Sequence, residues 1–139
     1  MIYKVFFDAN VLLDCLDKNR PFHSKSKFVF DYCADQKFKL FTSCDLITTI
    51  YYLIKNKKTA LNYIIKISKL LKIIEFSNDE INDACQLMLQ DNDYDDLEDT
   101  IQYILAKKSN CDLIISNDNH FTAKNIKTTN STDFLKLNV

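Results

Sequence analysis

The sequence contains no glycine and only one proline. Phosphate-binding loops and the dinucleotide-binding fingerprint need glycine where the backbone passes close to a phosphate group. The absence of glycine therefore excludes both kinds of nucleotide-binding motif. A strong excess of one charge is missing as well, since the formal net charge is −1 over 139 residues. The missing basic field argues against simple electrostatic binding of nucleic acid, but it does not exclude an enzyme that acts on nucleic acid through metal ions.

Ligands for a zinc ion are few and poorly spaced. There are two histidines, and the five cysteines include no C-x-x-C pair. We therefore expect free, mostly buried thiols, as in a reducing cytoplasm, and no zinc site. The N-terminal residues show no basic stretch followed by a long apolar run, and no segment is long enough to span a bilayer. The sequence predicts a cytoplasmic protein without a membrane segment.

Short segments rich in β-branched and aromatic residues alternate with amphipathic helical segments. Hydrophobic residues make up 47% of the chain, which is enough for one core. Neither a repeat nor a linker divides the chain, so we predict a single domain over residues 1–139. The alternation predicts an α/β fold, a three-layer α/β/α sandwich with a central parallel sheet of four to five strands. The predicted strands are residues 2–7, 38–41, 73–76, 112–115 and 126–128.

Acidic residues follow two of the predicted strands. Asp8 comes directly after the first strand, and Asp118 lies two residues beyond the segment L-I-I-S that ends at Ser116. Because the carboxyl ends of parallel strands meet at one edge of a sheet, where ligands bind, these carboxylates are expected on the same rim. Taken alone, each also fits an ordinary turn or helix-capping aspartate.

The segment Y-D-D-L-E-D-T, residues 94–100, opens a predicted helix with an acidic cluster. An acidic first turn commonly caps a helix, because carboxylates favour the positive end of the helix dipole. Asp96 and Asp99, however, share a helix face with Tyr103, so Asp99 leads into an otherwise apolar stripe. A carboxylate in such a place needs a partner. The only arginine, Arg20, is remote in sequence, and a divalent cation is the natural alternative.

The other polar residues of this helix have a simpler interpretation. Asp95 and Glu98 lie on a more polar face, together with Gln102. A solvated acidic patch is sufficient to explain Asp95 and Glu98, and it requires no ligand.

Four acidic residues are expected to converge on one rim of the sheet, where their carboxylate oxygens can bind a metal ion. These residues are Asp8, Asp96, Asp99 and Asp118. Oxygen ligation without histidine or cysteine suits Mg²⁺ or Mn²⁺. Magnesium usually works on phosphates, where it activates a water molecule and stabilises charge during in-line displacement. The acidic residues therefore predict a metal-dependent enzyme that hydrolyses phosphodiester bonds.

Three motifs occur in a characteristic order along the chain. F-F-D-A-N-V-L-L-D, residues 6–14, joins a strand to a D-x-N turn, and L-E-D-T-I-Q-Y-I-L-A, residues 97–106, forms an acidic helix. L-I-I-S-N-D-N-H-F, residues 113–121, ends a strand with an acidic turn. Together these motifs resemble the PIN domain, a family of metal-dependent ribonucleases, and the resemblance covers nearly the whole chain. It implies a PIN-like fold, RNA as substrate, and Mg²⁺ or Mn²⁺ as cofactor.

The resemblance also implies roles for particular residues. The implied catalytic and metal-binding residues are Asp8, Asp99 and Asp118, with Asp96 as a neighbouring metal ligand. Asn10 is implied to orient Asp8 or its loop, although Asn10 also suits a helix N-cap. Ser116 fills the position of a small hydroxyl residue that helps to hold the last acid, although it equally suits the satisfaction of backbone groups.

The chain departs from the family pattern at one position. The family usually carries a glutamate six residues past a serine, on the helix after the second strand, but here Ser43 leads to Thr49. The nearest acid, Asp45, lies one turn earlier. Thr49 could hydrogen-bond a metal water, or Glu98 or Asp96 could supply the missing charge from the other helix. The departure leaves open a one-metal site or a weakened enzyme.

The resemblance finally implies a biological setting. Many small PIN proteins are toxins of VapC type, which a cognate antitoxin holds inactive and which are often dimeric, so an antitoxin partner and a homodimer are implied. Two alternatives stay open. A phosphatase of the HAD type also places an aspartate after its first strand, but it needs D-x-D, and this chain has Asn10 in place of the second aspartate. An inactive PIN-derived binding module is favoured by Thr49.

Overall fold

Five parallel strands form the centre of the structure, a computed structural model that describes residues 3–137. The strands are β1 (Lys4–Phe7), β2 (Lys39–Ser43), β3 (Lys72–Ile74), β4 (Leu113–Ile115) and β5 (Lys127–Thr129). The helices are α1 (Ala9–Leu16), α2 (His23–Asp35), α3 (Asp45–Leu53), α4 (Lys57–Leu70), α5 (Asn78–Gln90), α6 (Leu97–Lys108) and α7 (Ser131–Phe134). The order in the sheet is β3-β2-β1-β4-β5, so β1 lies in the middle. The predicted α/β fold with a parallel sheet is confirmed.

Side chains of the middle strand alternate between two hydrophobic cores, one on each face of the sheet. Val5 and Phe7 belong to a core that α1, α2, α3, α4 and α7 complete. Phe6 belongs to a second core, to which α5 and α6 contribute. Helices therefore cover both faces, which is the predicted three-layer arrangement. Val5, Phe6 and Phe7 are all fully buried, as expected for the middle of a covered parallel sheet.

The observed strands differ from the predicted ones by one or two residues at their ends. β2 continues to Ser43, because Ser43 still pairs with Ile74 of β3. β5 begins one residue later than predicted, at Lys127. Ile2, the first residue of the first predicted strand, lies outside the described residues. These shifts arise because backbone pairing ends a strand, whereas the prediction rested on hydrophobic side chains.

The turn after β1 enters α1 at once, so Asp8 occupies the N-cap position. Its backbone carbonyl accepts hydrogen bonds from the N–H groups of Val11 at 3.1 Å and Leu12 at 3.4 Å. The N-cap interpretation of Asn10 is therefore wrong, because Asn10 is already the second residue of the helix. This tight entry fixes Asp8 at the carboxyl end of the middle strand.

The acidic segment opens α6, with Asp96 as the N-cap residue. The Asp96 Oδ1 accepts a hydrogen bond from the Asp99 N–H at 2.9 Å. The Asp96 carbonyl accepts another from the Thr100 hydroxyl at 2.6 Å. α6 contacts both α5 and β2. The charges of Asp8 and Asp118 act on Asp99 in its first turn, so this turn lies near the carboxyl ends of β1 and β4.

Two further predictions concern the thiols and membrane segments. All five cysteines are free, but the expectation that they are mostly buried is wrong: Cys33 and Cys111 are buried, whereas Cys15, Cys44 and Cys85 are only partly buried. Over the part of the chain that the structure describes, no helix combines the length and apolar character needed to cross a bilayer.

Candidate active site

The carboxyl ends of β2, β1 and β4 lie side by side in the sheet, and a polar residue stands at each end. Ser43 ends β2, Asp8 follows β1, and Ser116 follows β4. The Asp8 N–H donates to the carbonyl of Ile115 at 3.0 Å, which extends the pairing of β1 with β4. Asp8 is thereby placed next to the turn that carries Asp118.

Asp8 is a buried carboxylate at the centre of this rim, with 3% of its surface exposed. The Ser116 hydroxyl donates to its Oδ2 at 2.9 Å. Burial raises the pKa of Asp8 above its ordinary value, because desolvation outweighs the stabilisation from Ser116, the Asn10 N–H and Gln102. A buried carboxylate in this state gains from any cation that is brought beside it.

Ser116 connects Asp8 to the turn that carries Asp118. Its hydroxyl oxygen accepts a hydrogen bond from the Asp118 N–H at 3.1 Å while the hydroxyl donates to Asp8. Asp118 is exposed, and its Oδ1 accepts the N–H of His120 at 2.8 Å. Ser116 therefore satisfies a backbone group and also ties two of the acidic positions into one network.

Asp99 lies in the first turn of α6, where other carboxylates surround it. Partial burial raises its pKa from the ordinary 3.8 to about 7, and neighbouring negative charges add to this shift. Those charges, from the strongest effect to the weakest, are Asp96, Asp8, Asp118 and Glu98. The structure therefore brings these carboxylates into one electrostatic cluster around Asp99.

Glu98 lies near α3, the helix on which Thr49 replaces the glutamate of the family pattern. Desolvation raises the pKa of Glu98, and the charges of Asp45 and Asp8 raise it further. The Thr49 hydroxyl donates a hydrogen bond to the backbone carbonyl of Asp45, one turn earlier in α3, at 3.4 Å. The Asp45 carboxylate accepts the hydroxyl of Ser43. Negative charge beside α3 therefore comes from Asp45 and Glu98, while the Thr49 hydroxyl is engaged with the backbone.

The chemistry of the donor set fits a hard divalent cation, since carboxylate oxygens make up the cluster. Within residues 3–137, however, no three Asp, Glu, His or Cys side chains already stand as ligands around one point. Asp96 and Asp118 are held by local hydrogen bonds, one as a helix cap and one in its turn. Burial raises the pKa of Asp99, and repulsion from the neighbouring carboxylates raises it further. A cation among these oxygens removes that repulsion.

A buried polar network that anchors the Asp118 turn was missed from the sequence. The Asn117 amide donates to Asp14 Oδ2 at 2.7 Å and to the Ser26 hydroxyl at 3.0 Å. Asp14 is buried and also accepts Arg20 Nε at 2.6 Å. The only arginine therefore serves this network and not the acidic cluster. Asn117 and Asp14 lie 103 residues apart, so no local pattern reveals their contact.

Gln102 lies on a buried side of α6 and not on the polar face that helical spacing predicts. The helical spacing grouped it with Asp95 and Glu98 on a polar face, but Gln102 is fully buried. The side of α6 that carries Gln102 faces Asp8 and the sheet, and Gln102 lowers the pKa of that buried carboxylate. Asp95 remains exposed, as its interpretation as a solvated charge requires.

The raised pKa of Asp99 predicts that the metal-free chain loses stability as the pH rises towards neutrality. The pKa of Asp99 is 3.8 in the unfolded state and about 7 in the folded state. Between these two pH values, Asp99 therefore binds more protons in the native state than in the unfolded state. The resulting stability is complete below the unfolded pKa and is lost as the pH rises through about 7. Urea denaturation in EDTA at several pH values between these limits measures this slope, and a free energy of unfolding that rises with pH contradicts it.

Comparison with known proteins identifies the family to which this chain belongs. A family model described as PIN domain matches residues 4–120. This match includes β1, α6 and the turn after β4, the elements that carry Asp8, Asp99 and Asp118. The chain therefore belongs to the PIN domain family, and membership removes the alternative of a HAD-type phosphatase.

The chain is also similar to individual proteins of this family and fold. It is 43% identical over 133 residues to Ribonuclease VapC1 of Aquifex aeolicus (strain VF5), covering 94% of this chain and 92% of that protein. VapC20 of Mycobacterium tuberculosis, a toxin described as cleaving the Sarcin-Ricin loop, superposes with a TM-score of 0.70 at 12% identity, covering 84% of this chain and 92% of that one. VapBC2 of Rickettsia felis, bound to a DNA fragment from its promoter, gives a TM-score of 0.71 at 15% identity, covering 91% and 98%.

Proposed function

We propose that this chain is a single-domain, metal-dependent endoribonuclease that hydrolyses RNA phosphodiester bonds and acts as the toxin of a toxin–antitoxin pair. The observation that carries the proposal is the electrostatic cluster at the carboxyl rim, where burial and neighbouring carboxylates raise the pKa of Asp99 to about 7. Identity of 43% to a protein named Ribonuclease VapC1, over nearly the full length of both, supports RNA as the substrate. Membership in the PIN family supports dependence on a divalent metal ion.

Mg²⁺ or Mn²⁺ is the proposed cofactor, because hard carboxylate oxygens suit these ions. When bound, the ion activates a water molecule and stabilises negative charge on the phosphodiester. The proposed metal ligands are Asp8, Asp96, Asp99 and Asp118, and of these Asp8, Asp99 and Asp118 are the proposed catalytic residues. Ser116 supports the site by holding Asp8 and the Asp118 turn together through its two hydrogen bonds. Asn10 supports Asp8 through its backbone N–H.

Glu98 is the proposed source of the charge that Thr49 lacks. Burial raises the pKa of Glu98, and the charges of Asp45 and Asp8 raise it further, so its carboxylate is within electrostatic reach of both α3 and the end of β1. Thr49 supports the site more weakly, as a hydroxyl residue at the position of the usual glutamate.

The toxin role includes a cognate antitoxin protein and a homodimer as partners. Solved structures of the same fold include VapBC2 of Rickettsia felis and VapBC of Salmonella typhimurium, both bound to DNA. On α3 and α4 of this chain, large apolar side chains stand exposed and offer a surface for a protein partner: Tyr52, Leu53, Leu61 and Ile65. The free cysteines suit the cytoplasm as the place of action.

A weakened or inactive PIN-derived binding module is the second candidate. It is favoured by Thr49, whose hydroxyl is committed to the backbone of α3 where the family pattern has a carboxylate. In this case the acidic rim binds a metal ion without supporting efficient hydrolysis.

Cleavage of a mixed RNA pool by the purified chain, with Mg²⁺, with Mn²⁺ and with EDTA, tests the proposal. We expect cleavage with at least one ion and none with EDTA. Calorimetric titration of the same ions separates the two candidates, because metal binding without cleavage identifies the inactive module. Cleavage that persists in EDTA contradicts metal dependence.

A further inference from the structure

Gln102 carries a polar side chain where an apolar one would pack without cost. The residue is fully buried in α6, with 0% of its surface exposed. Within residues 3–137, neither the nitrogen nor the oxygen of its amide completes a hydrogen bond. Leaving a buried amide unpaired costs roughly 1–3 kcal/mol, and native structures keep few such groups. Packing alone therefore gives no reason for an amide at this position.

The Gln102 amide faces the carboxylate cluster. Gln102 follows Asp99 by three residues and Glu98 by four, so the three side chains share one side of α6. Across from it lies Asp8, whose pKa Gln102 lowers, although their approach stops short of a complete hydrogen bond. Ser116 already donates to the same carboxylate from the end of β4. Asp8 therefore accepts a side-chain hydrogen bond from Ser116 and lies close to a second donor, the Gln102 amide, which does not complete one.

We propose that Gln102 is a positioning residue for Asp8, whose amide N–H completes a hydrogen bond to this carboxylate when a divalent ion draws the carboxylates of the rim together. The inference rests on the proposed function, because it takes Asp8 as a metal ligand. Asp8 is then held between the Ser116 hydroxyl, which follows β4, and the Gln102 amide, which belongs to α6. Partners of this kind change metal affinity by about 10- to 100-fold when they are removed.

Gln102→Leu separates positioning from packing. The metal-free variant should be at least as stable as the parent chain in urea denaturation, because an apolar side chain replaces an unpaired buried amide. Its Mn²⁺ affinity, measured by calorimetry without RNA, should fall by about 10- to 100-fold. Gln86→Leu is the matched control, since Gln86 is exposed on α5, and it should change neither quantity.

Gln102→Met is the second variant, because the unbranched methionine follows the shape of glutamine if leucine does not fit. If a folded variant binds Mn²⁺ with unchanged affinity, the proposal is overturned, whether or not the variant has lost stability. The titration contains no RNA, so it measures metal binding independently of cleavage. A parent chain that binds Mn²⁺ but cleaves no RNA therefore contradicts the ribonuclease proposal and leaves the positioning role of Gln102 intact.

Discussion

Asp99→Asn is expected to lower metal-dependent RNA cleavage by roughly a hundredfold or more and, in the same variant, to stabilise the metal-free fold at pH 8. Asparagine keeps the shape and one oxygen, but it supplies no negative charge to an ion. At pH 8 the parent chain carries a charge on Asp99 that burial and the neighbouring carboxylates disfavour. The neutral amide removes this charge. We expect a gain on the order of 2 kcal/mol, because solvent screens part of the effect of the pKa shift.

Asp95→Asn is the matched control for this variant. Asp95 is exposed in the same acidic segment and is not among the charges that raise the pKa of Asp99. Its replacement should leave both the cleavage rate and the urea midpoint close to those of the parent. If the Asp99→Asn variant still cleaves RNA, Asp99 is not part of the active site. Lost activity together with lost stability assigns Asp99 to a structural role.

The position of Asp8 could be predicted from the sequence because a simple geometric rule applies to it. An acid that directly follows an apolar strand in a parallel sheet lies at the carboxyl rim, and the structure places Asp8 there, after the middle strand. Asp99 could be singled out in the same way, since one carboxylate that leads into an apolar stripe stands out from its neighbours. Local periodicity and strand order were sufficient for both residues.

Gln102 and Asn117 could not be predicted, for two different physical reasons. Helical spacing grouped Gln102 with Asp95, but α6 begins at Leu97, so Asp95 precedes the helix and does not mark a solvent-facing side. The side of α6 that carries Gln102 is covered by the sheet, which only the packing of the helix decides. Asn117 contacts Asp14 across 103 residues of sequence, and contacts of this range leave no periodic signal in one chain.

The charge balance between α3 and α6 is affected by the departure of this chain from its family pattern at Thr49. Thr49 provides no carboxylate, while Glu98 has a pKa raised by burial and by Asp45 and Asp8. The Glu98 carboxylate interacts electrostatically with acidic residues on both sides of the rim. It can therefore supply the negative charge that is missing from α3. The two positions should therefore compensate for each other in binding a divalent ion.

Glu98→Gln is expected to lower both Mn²⁺ affinity and RNA cleavage by about 10- to 100-fold, the range found when a group supporting a metal site is removed. Introducing Thr49→Glu into the Glu98→Gln variant should restore a large part of both, because it returns one negative charge to the rim from the α3 side. In the parent chain, Thr49→Glu alone should instead lower the stability of the metal-free fold, since it adds a charge beside Asp45 and Glu98. Calorimetry and cleavage rates on the two single variants and the double variant measure the compensation. Independent effects that simply add would show that Glu98 does not stand in for the glutamate that Thr49 replaces.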